Sequence, residues 1–246
     1  MKRWRILWIV FALLILLAGG FVVWGSMPAQ PMPEALVALQ SDEWVEVSDS
    51  RWLVFTPRSQ TPDTAWIFYP GGRVDPRSYA PLARRVAEQG FLVVVPSMPL
   101  NLAVFAPETA LDILQEYPAI KTWVIGGHSL GGAMAANFVK KHPGKIQGLI
   151  LLASYPAEGD SLRDVSSLKV LSIYASLDGL ATPEKVLSSR PLLPEDTTWV
   201  EISGGNHAQF GWYGVQSGDL PARISREQQQ SQVVSAILEF LQYLKD

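Results

Sequence analysis

Ser129 stands in the run Gly127-His128-Ser129-Leu130-Gly131-Gly132, a Gly-x-Ser-x-Gly spacing suited to nucleophilic attack on a carbonyl. Such a turn holds its serine in a strained backbone conformation at the tip of a sheet. It tolerates little bulk two residues to either side, which Gly127 and Gly131 satisfy. Trp123-Val124-Ile125 reads as the strand entering the turn, and the small residues Gly132, Ala133, Ala135 and Ala136 as a helix packed close against it. Free N–H groups and the dipole at that helix start favour a developing oxyanion.

A serine nucleophile needs a base, an acid to orient the base, and donors for the oxyanion. The chain has three histidines. His128 adjoins the serine in a sharp turn, where neighbouring side chains diverge. His142 ends a helix beside Lys140 and Lys141, a place where a cation suits the dipole. His207, in Ser203-Gly204-Gly205-Asn206-His207-Ala208-Gln209, follows the last strand and is the expected base. Asp178 follows the penultimate strand and is the expected acid by chain order, with Asp160 and Asp164 as weaker rivals. The Leu130 N–H is one expected oxyanion donor. The second comes from Tyr69-Pro70-Gly71-Gly72-Arg73, where either Gly72 or Arg73 fits. Met98 and Asn101 after one strand, and Phe210, Trp212 and Tyr213 after His207, either line a substrate pocket or pack over the sheet.

The elements that must position these groups alternate along the chain. Short strands are expected at 44–47 and 52–56, paired antiparallel, then at 65–69, 91–95, 123–125, 149–152, 170–174 and 198–202. Helices are expected at 34–40, 79–89, 108–116, 130–141 and 227–244, the last with Val233, Ile237, Leu241 and Leu244 on one stripe. This order predicts an α/β protein with a mostly parallel sheet and helices on both faces. The stretch between strands 149–152 and 170–174 is too short for a large cap, so an open site is expected.

Hydrophobic residues make up 48% of the 246, enough for one full core, and the net charge is −3 without a basic stripe, which argues against nucleic acid as a partner. The absence of cysteine excludes disulfides, thiolate metal sites and a cysteine nucleophile. Lys2, Arg3 and Arg5 precede an apolar run from Ile6 to Trp24, long enough to come close to crossing a hydrocarbon core of about 30 Å. Trp4, Trp8 and Trp24 sit near its ends, where interfacial aromatics belong. Glu34, Asp42 and Glu43 follow the run before any further basic residue, which places the body outside the cytoplasm. A cleaved signal at Ala18-Gly19-Gly20, giving a secreted protein, competes with an uncleaved anchor; a buried core helix is a third reading. The expected organisation is 1–25 membrane anchor or signal, 26–42 linker and 43–246 catalytic domain.

With Ser129, Asp178 and His207 in this order, 44–246 resembles the α/β-hydrolase superfamily, and more narrowly its small dienelactone-hydrolase-like branch. The resemblance implies an eight-stranded sheet and a membrane-anchored serine hydrolase that cleaves ester-type bonds through an acyl-enzyme, with no metal or organic cofactor. It departs from that branch in its Tyr-Pro-Gly-Gly oxyanion loop and in having serine where dienelactone hydrolases proper use cysteine. Small-molecule or lipid-like esters are the expected substrates. The competing functions are a non-catalytic binding module of the same fold at the membrane surface, and an acyltransferase on the same triad.

Overall fold

Alternation of apolar strands and amphipathic helices closes into one eight-stranded sheet in the computed structural model, which describes residues 2–245. The side chains of Lys2, Arg3 and Arg5, on which the predicted orientation in a membrane rests, lie outside what is described. The strands are β1 (Val45–Asp49), β2 (Leu53–Pro57), β3 (Thr64–Tyr69), β4 (Leu92–Val95), β5 (Thr122–His128), β6 (Gly148–Leu152), β7 (Lys169–Ala175) and β8 (Thr198–Ile202). Their order is β1-β2-β4-β3-β5-β6-β7-β8. β1 and β2 pair antiparallel, as does β2 with β4; every other pair is parallel.

The helices are α1 (Lys2–Gly25), α2 (Pro33–Val37), α3 (Ala80–Ala87), α4 (Thr109–Glu116), α5 (Leu130–Lys141), α6 (Pro183–Ser188) and α7 (Arg226–Lys245). Two cores sit on the two faces of the sheet. In β3, Trp66 and Phe68 enter one, and Ala65, Ile67 and Tyr69 the other, because successive strand side chains point to opposite faces. A strand buried on both faces is an almost continuous apolar run, as in β4, β6 and, after Thr64, β3.

Register sets the site. Tyr69 lies beside Gly127, His128 beside Leu152, and Ala175 beside Ile202. The carboxyl ends of β3, β5, β6, β7 and β8 therefore form one edge, and the loops after them carry the candidate residues. The strand at 123–125 extends further than the sequence pattern suggests, to His128, because Gly126 and Gly127 remain in the parallel ladder with β3 and β6.

The N-terminal part departs from a free linker. Ala29 pairs with Val74: its N–H donates to the Arg73 carbonyl at 2.7 Å and its carbonyl accepts from the Asp75 N–H at 3.1 Å. The Met32 N–H donates to the Trp212 carbonyl at 2.8 Å, and Ala35 of α2 is fully buried. Segment 26–37 is thus laid along the domain. α1 contains a 20-residue apolar stretch, Ile6–Gly25, exposed from Ile6 to Trp24 with only Gly25 buried against the domain, which is compatible with a transmembrane helix.

Candidate active site

Ser129 adopts φ 52°, ψ −122° at the end of β5, a left-handed conformation unusual for a residue with a Cβ. The turn is held by its Ser129 N–H donating to the Leu152 carbonyl at 3.0 Å and its carbonyl accepting from Ser154 Oγ at 2.6 Å. It also depends on missing side chains: a Cβ at Gly131 would lie 2.1 Å from the Tyr69 carbonyl oxygen, and one at Gly127 2.4 Å from the same atom. Strand, turn and helix touch at backbone distance there. Among the described residues, five non-glycine residues have positive φ: Arg73, Leu100, Asn101, Ser129 and Ala153, all at this edge of the sheet.

Asp178 and His207 are brought together. The His207 Nδ1–H donates to Asp178 Oδ2 at 2.7 Å, and both residues are buried. Asp178 Oδ1 accepts from the N–H groups of Leu180 and Ala181, at 2.8 and 2.7 Å, so the carboxylate is fully engaged and fixed. Donation from Nδ1 leaves the lone pair of the neutral ring on Nε2, which is buried without a partner. No hydrogen bond joins His207 Nε2 to Ser129 Oγ; contacts of this kind commonly close only with substrate in place.

The other histidines are accounted for. His142 pairs through Nε2 with Glu108 at the far end of α5, out of reach of Ser129. His128 is buried beside the site, its ring 4.4 Å from that of His207 between centroids. The Tyr79 hydroxyl accepts from the Gly71 N–H at 3.0 Å and donates to His128 Nδ1 at 2.9 Å. Burial first, and then the neighbouring His207, hold His128 well below the usual imidazole range, which keeps Nδ1 free to accept. Burial also pushes the Tyr79 hydroxyl upward, so it stays protonated. Gly71, Tyr79 and His128 form one chain linking the loop after β3 to the residue before the nucleophile.

That loop offers one donor. The Arg73 N–H, one of the two alternatives left by the sequence, donates to the Asn101 carbonyl at 2.7 Å and is unavailable. The Gly72 N–H has no acceptor among the described residues, and Gly72 lies against Leu130: a Cβ there would be 3.2 Å from Leu130 Cδ2. Leu130 opens α5, where an N–H has no intrahelical partner. The N–H groups of Leu130 and Gly72 thus make no hydrogen bond among the described residues, and the two residues are in contact.

A cleft of about 300 Å³ adjoins Ser129 and Leu130, lined by the small side chains of Ala133, Ala153 and Ser154 and by Tyr155, Leu180 and Ala181. None of the expected pocket residues lines it. Met98 is drawn into the core, Phe210 stacks on His128 and is fully buried, and Trp212 is buried beneath Arg226. Asn101 turns away and donates from Nδ2 to the Gly25 carbonyl. Large apolar side chains at this edge are buried by the core because burial favours them there more than exposure.

Two supporting residues escape sequence reasoning. Asp219 accepts from Gly179 N–H and His207 N–H through Oδ1, at 3.0 and 3.3 Å, and from Ala208 N–H through Oδ2 at 2.9 Å. One carboxylate thus ties the Asp178 loop to the His207 loop. Gln229 of α7, fully buried, accepts from the Asn206 N–H and donates to the Asn206 carbonyl. Neither stands in a motif; the only signal is Asp219 after Gly218 in a polar loop, which reads as a surface turn. Among the described residues, no three His, Asp or Glu side chains gather into a set that could hold a metal ion.

Comparison with known proteins identifies the family and the fold. Residues 65–231 match the sequence model described as the alpha/beta hydrolase family. No curated protein sequence matches the chain. Among solved structures, Est1E from Butyrivibrio proteoclasticus superposes with a TM-score of 0.57 at 12% identity, covering 82% of this chain and 98% of its own. The esterase domain of a Rhodothermus marinus protein superposes with 0.59 at 13% identity, covering 77% and 90%. A predicted CIB-like hydrolase from Thermoplasma acidophilum gives 0.60 at 15% identity, covering 82% and 97%. At these identities the likeness is one of fold.

Proposed function

This chain belongs to the alpha/beta hydrolase family, and we propose that it is a membrane-anchored serine hydrolase that cleaves ester bonds through an acyl-enzyme. The observation that carries this reading is the buried Asp178–His207 pair, with His207 Nε2 left unpaired at the sheet edge where Ser129 is held in its strained turn.

In the proposed reaction Ser129 Oγ attacks the ester carbonyl and its proton passes to His207 Nε2. Asp178 holds Nδ1–H and stabilises the imidazolium without taking the proton. The carbonyl oxygen, now negative, is bound by the N–H groups of Leu130 and Gly72. Collapse expels the alcohol, which takes the proton from Nε2, and leaves an ester on Ser129. Water then loses a proton to Nε2 as it attacks this acyl group, and collapse breaks the bond to Ser129 Oγ, which takes the proton back from Nε2 as the acid is released. The small side chains around the cleft suit a short acyl group or the immediate surroundings of an ester. α1 serves as the anchor and 43–246 as the catalytic domain, on the side of the membrane away from Lys2 and Arg3.

The test is reaction with a fluorophosphonate probe beside turnover of a short-chain p-nitrophenyl ester. Wild type is expected to label and turn over. Ser129→Ala should abolish labelling, and Ser129→Ala and His207→Ala should each lower turnover by about 10³-fold or more. Folded wild-type protein that neither labels nor turns over would sink the reading.

A further inference from the structure

The end of α1 is fastened to the loops that form the candidate oxyanion site. Arg73 donates from Nε to the Trp24 carbonyl at 3.0 Å and from Nη2 to the Met27 carbonyl at 2.9 Å, and its guanidinium lies 4.2 Å over the Trp24 ring. Asn101 Nδ2 donates to the Gly25 carbonyl at 3.0 Å. The bonds to Trp24 and Gly25 satisfy carbonyls that a helix C-terminus leaves open. Arg73 is the residue after Gly72, and its own N–H meets the Asn101 carbonyl, so helix end, oxyanion loop and the loop around Asn101 form one unit.

That loop reaches along the helix. Phe105 packs edge-to-face on Phe21, with ring centroids 6.1 Å apart. Phe21 lies four residues before the helix end, about 6 Å along the axis at 1.5 Å per residue. A helix that crosses a bilayer through Ile6–Gly25 therefore places Phe105 at the depth of its own last turn, below the headgroups. Val104 and Phe105 are each about half exposed among the described residues. The same loop carries Leu102, whose Cδ2 would lie 3.5 Å from a Cβ on Gly72. One short segment thus touches the membrane helix at one end and the oxyanion loop at the other.

A second cleft, about 440 Å³, opens between Met27, just past the helix, and Gly72, with Val215 on its border; Val215 is 97% exposed. The cleft at Ser129, about 300 Å³, is at the lower end for a small-molecule site and holds an ester with its near neighbours, leaving the remainder of a long molecule outside. Outside, on this flank, is the end of the membrane helix.

We propose that the site hydrolyses esters of amphiphiles resident in the bilayer, approached past the end of α1, with Val104, Phe105 and Val215 seated in the membrane surface. This rests on the serine-hydrolase reading and on α1 as a span. The occupant of the apolar rim is lipid because the rim is continuous with the helix that enters lipid.

The absence of cysteine allows single labels on the full chain in phosphatidylcholine vesicles. A fluorophore on Val104→Cys is expected to be quenched several-fold more by bromolipid than one on Lys145→Cys, which follows α5 at the opposite edge of the sheet. Equal quenching at the two positions, as when a second copy of the chain covers the rim, overturns the docking. In the same vesicles Phe105→Asp should lower release of fatty acid from incorporated monoacylglycerol at least tenfold and change hydrolysis of water-soluble p-nitrophenyl acetate less than twofold. An equal effect on both esters, or none on either, overturns the substrate assignment. Fluorophosphonate labelling of each sample separates the two readings. Labelled Ser129 without the difference between esters ends this inference alone; unlabelled Ser129 ends the hydrolase reading and the substrate assignment with it.

Discussion

Asp219 accepts backbone N–H groups from Gly179, His207, Ala208 and Leu220, two of them on the loop that carries the proposed base and one next to the proposed acid. Hydrogen bonds to a charged group are worth about 1.5–3 kcal/mol, and small misplacements of reacting groups cost up to about 10²-fold in rate. Asp219→Ala is therefore expected to lower kcat ten- to a hundredfold with KM little changed, and Asp219→Asn, which keeps one acceptor, to recover part of it. Unchanged kcat in Asp219→Ala would show that the two loops hold themselves. His128 gives a pH prediction. The unfolded chain protonates it near 6.5, whereas the buried residue titrates well below. Below about pH 6.5 the unfolded state thus binds the extra proton, and this contribution, fully present above that pH, is lost as pH falls, with a slope of up to about 1.4 kcal/mol per pH unit. His128→Gln should flatten the fall in urea midpoint between pH 6.5 and 5.5; parallel curves would refute it. At this scale the strained turn at Ser129 was legible because it demands glycines at fixed positions, and the pairing of Asp178 with His207 because chain order narrows the candidates, while their roles in catalysis are proposed. The choice between Gly72 and Arg73 was not legible. It depends on the carbonyl of Asn101, a residue of a different loop that meets Arg73 only in the fold.

The strand–turn–helix unit around Ser129 works by close approach. Gly131→Ala would drive a methyl into the carbonyl oxygens of Tyr69 and Pro70, backbone atoms at the root of the oxyanion loop. We expect a loss of about 1–3 kcal/mol in urea unfolding and slowed fluorophosphonate labelling. Gly159→Ala, with nothing within 4 Å of the added methyl, is expected to change neither. Equal effects from the two would show that the contact at Gly131 relaxes freely. Elements were readable where one periodicity dominates: the apolar runs of β3, β4 and β6, and the helix α5, flanked by Ser129 and His142. They were less readable where polarity misleads. Gln229 and Gln230 belong to a run that looks solvated, yet both are buried, turned toward the His207 loop by the hydrogen bonds its backbone needs. Phe210 and Trp212 look like pocket aromatics and are instead part of the packing under that loop.

The whole molecule is joined to its N-terminal helix more firmly than a proline-rich connector suggests. A chain beginning at Ser26 retains the Ala29 and Met32 hydrogen bonds; one beginning at Pro33 loses them. At about 1 kcal/mol for each such bond, the shorter chain is expected to unfold at lower urea by the equivalent of about 1–3 kcal/mol, with slower labelling of Ser129. Equal midpoints would mean that 26–32 rests on the surface without supporting it. The sheet and its helices could be anticipated from pattern, since each strand and helix is specified by its own residues. The seating of α1 could not, because Arg73 and Asn101 are polar residues of unremarkable loops until the fold brings the last carbonyls of the helix to them. A spanning helix longer than the local hydrocarbon thickness leans over to bury its apolar length. In a chain anchored as proposed, with the final turn of α1 held by Arg73 and Asn101, leaning would turn the body with the helix and lift or lower the mouth against the headgroups. Lipid chain length would then act on this protein as a lever, setting turnover by geometry without any change in the chemistry at Ser129.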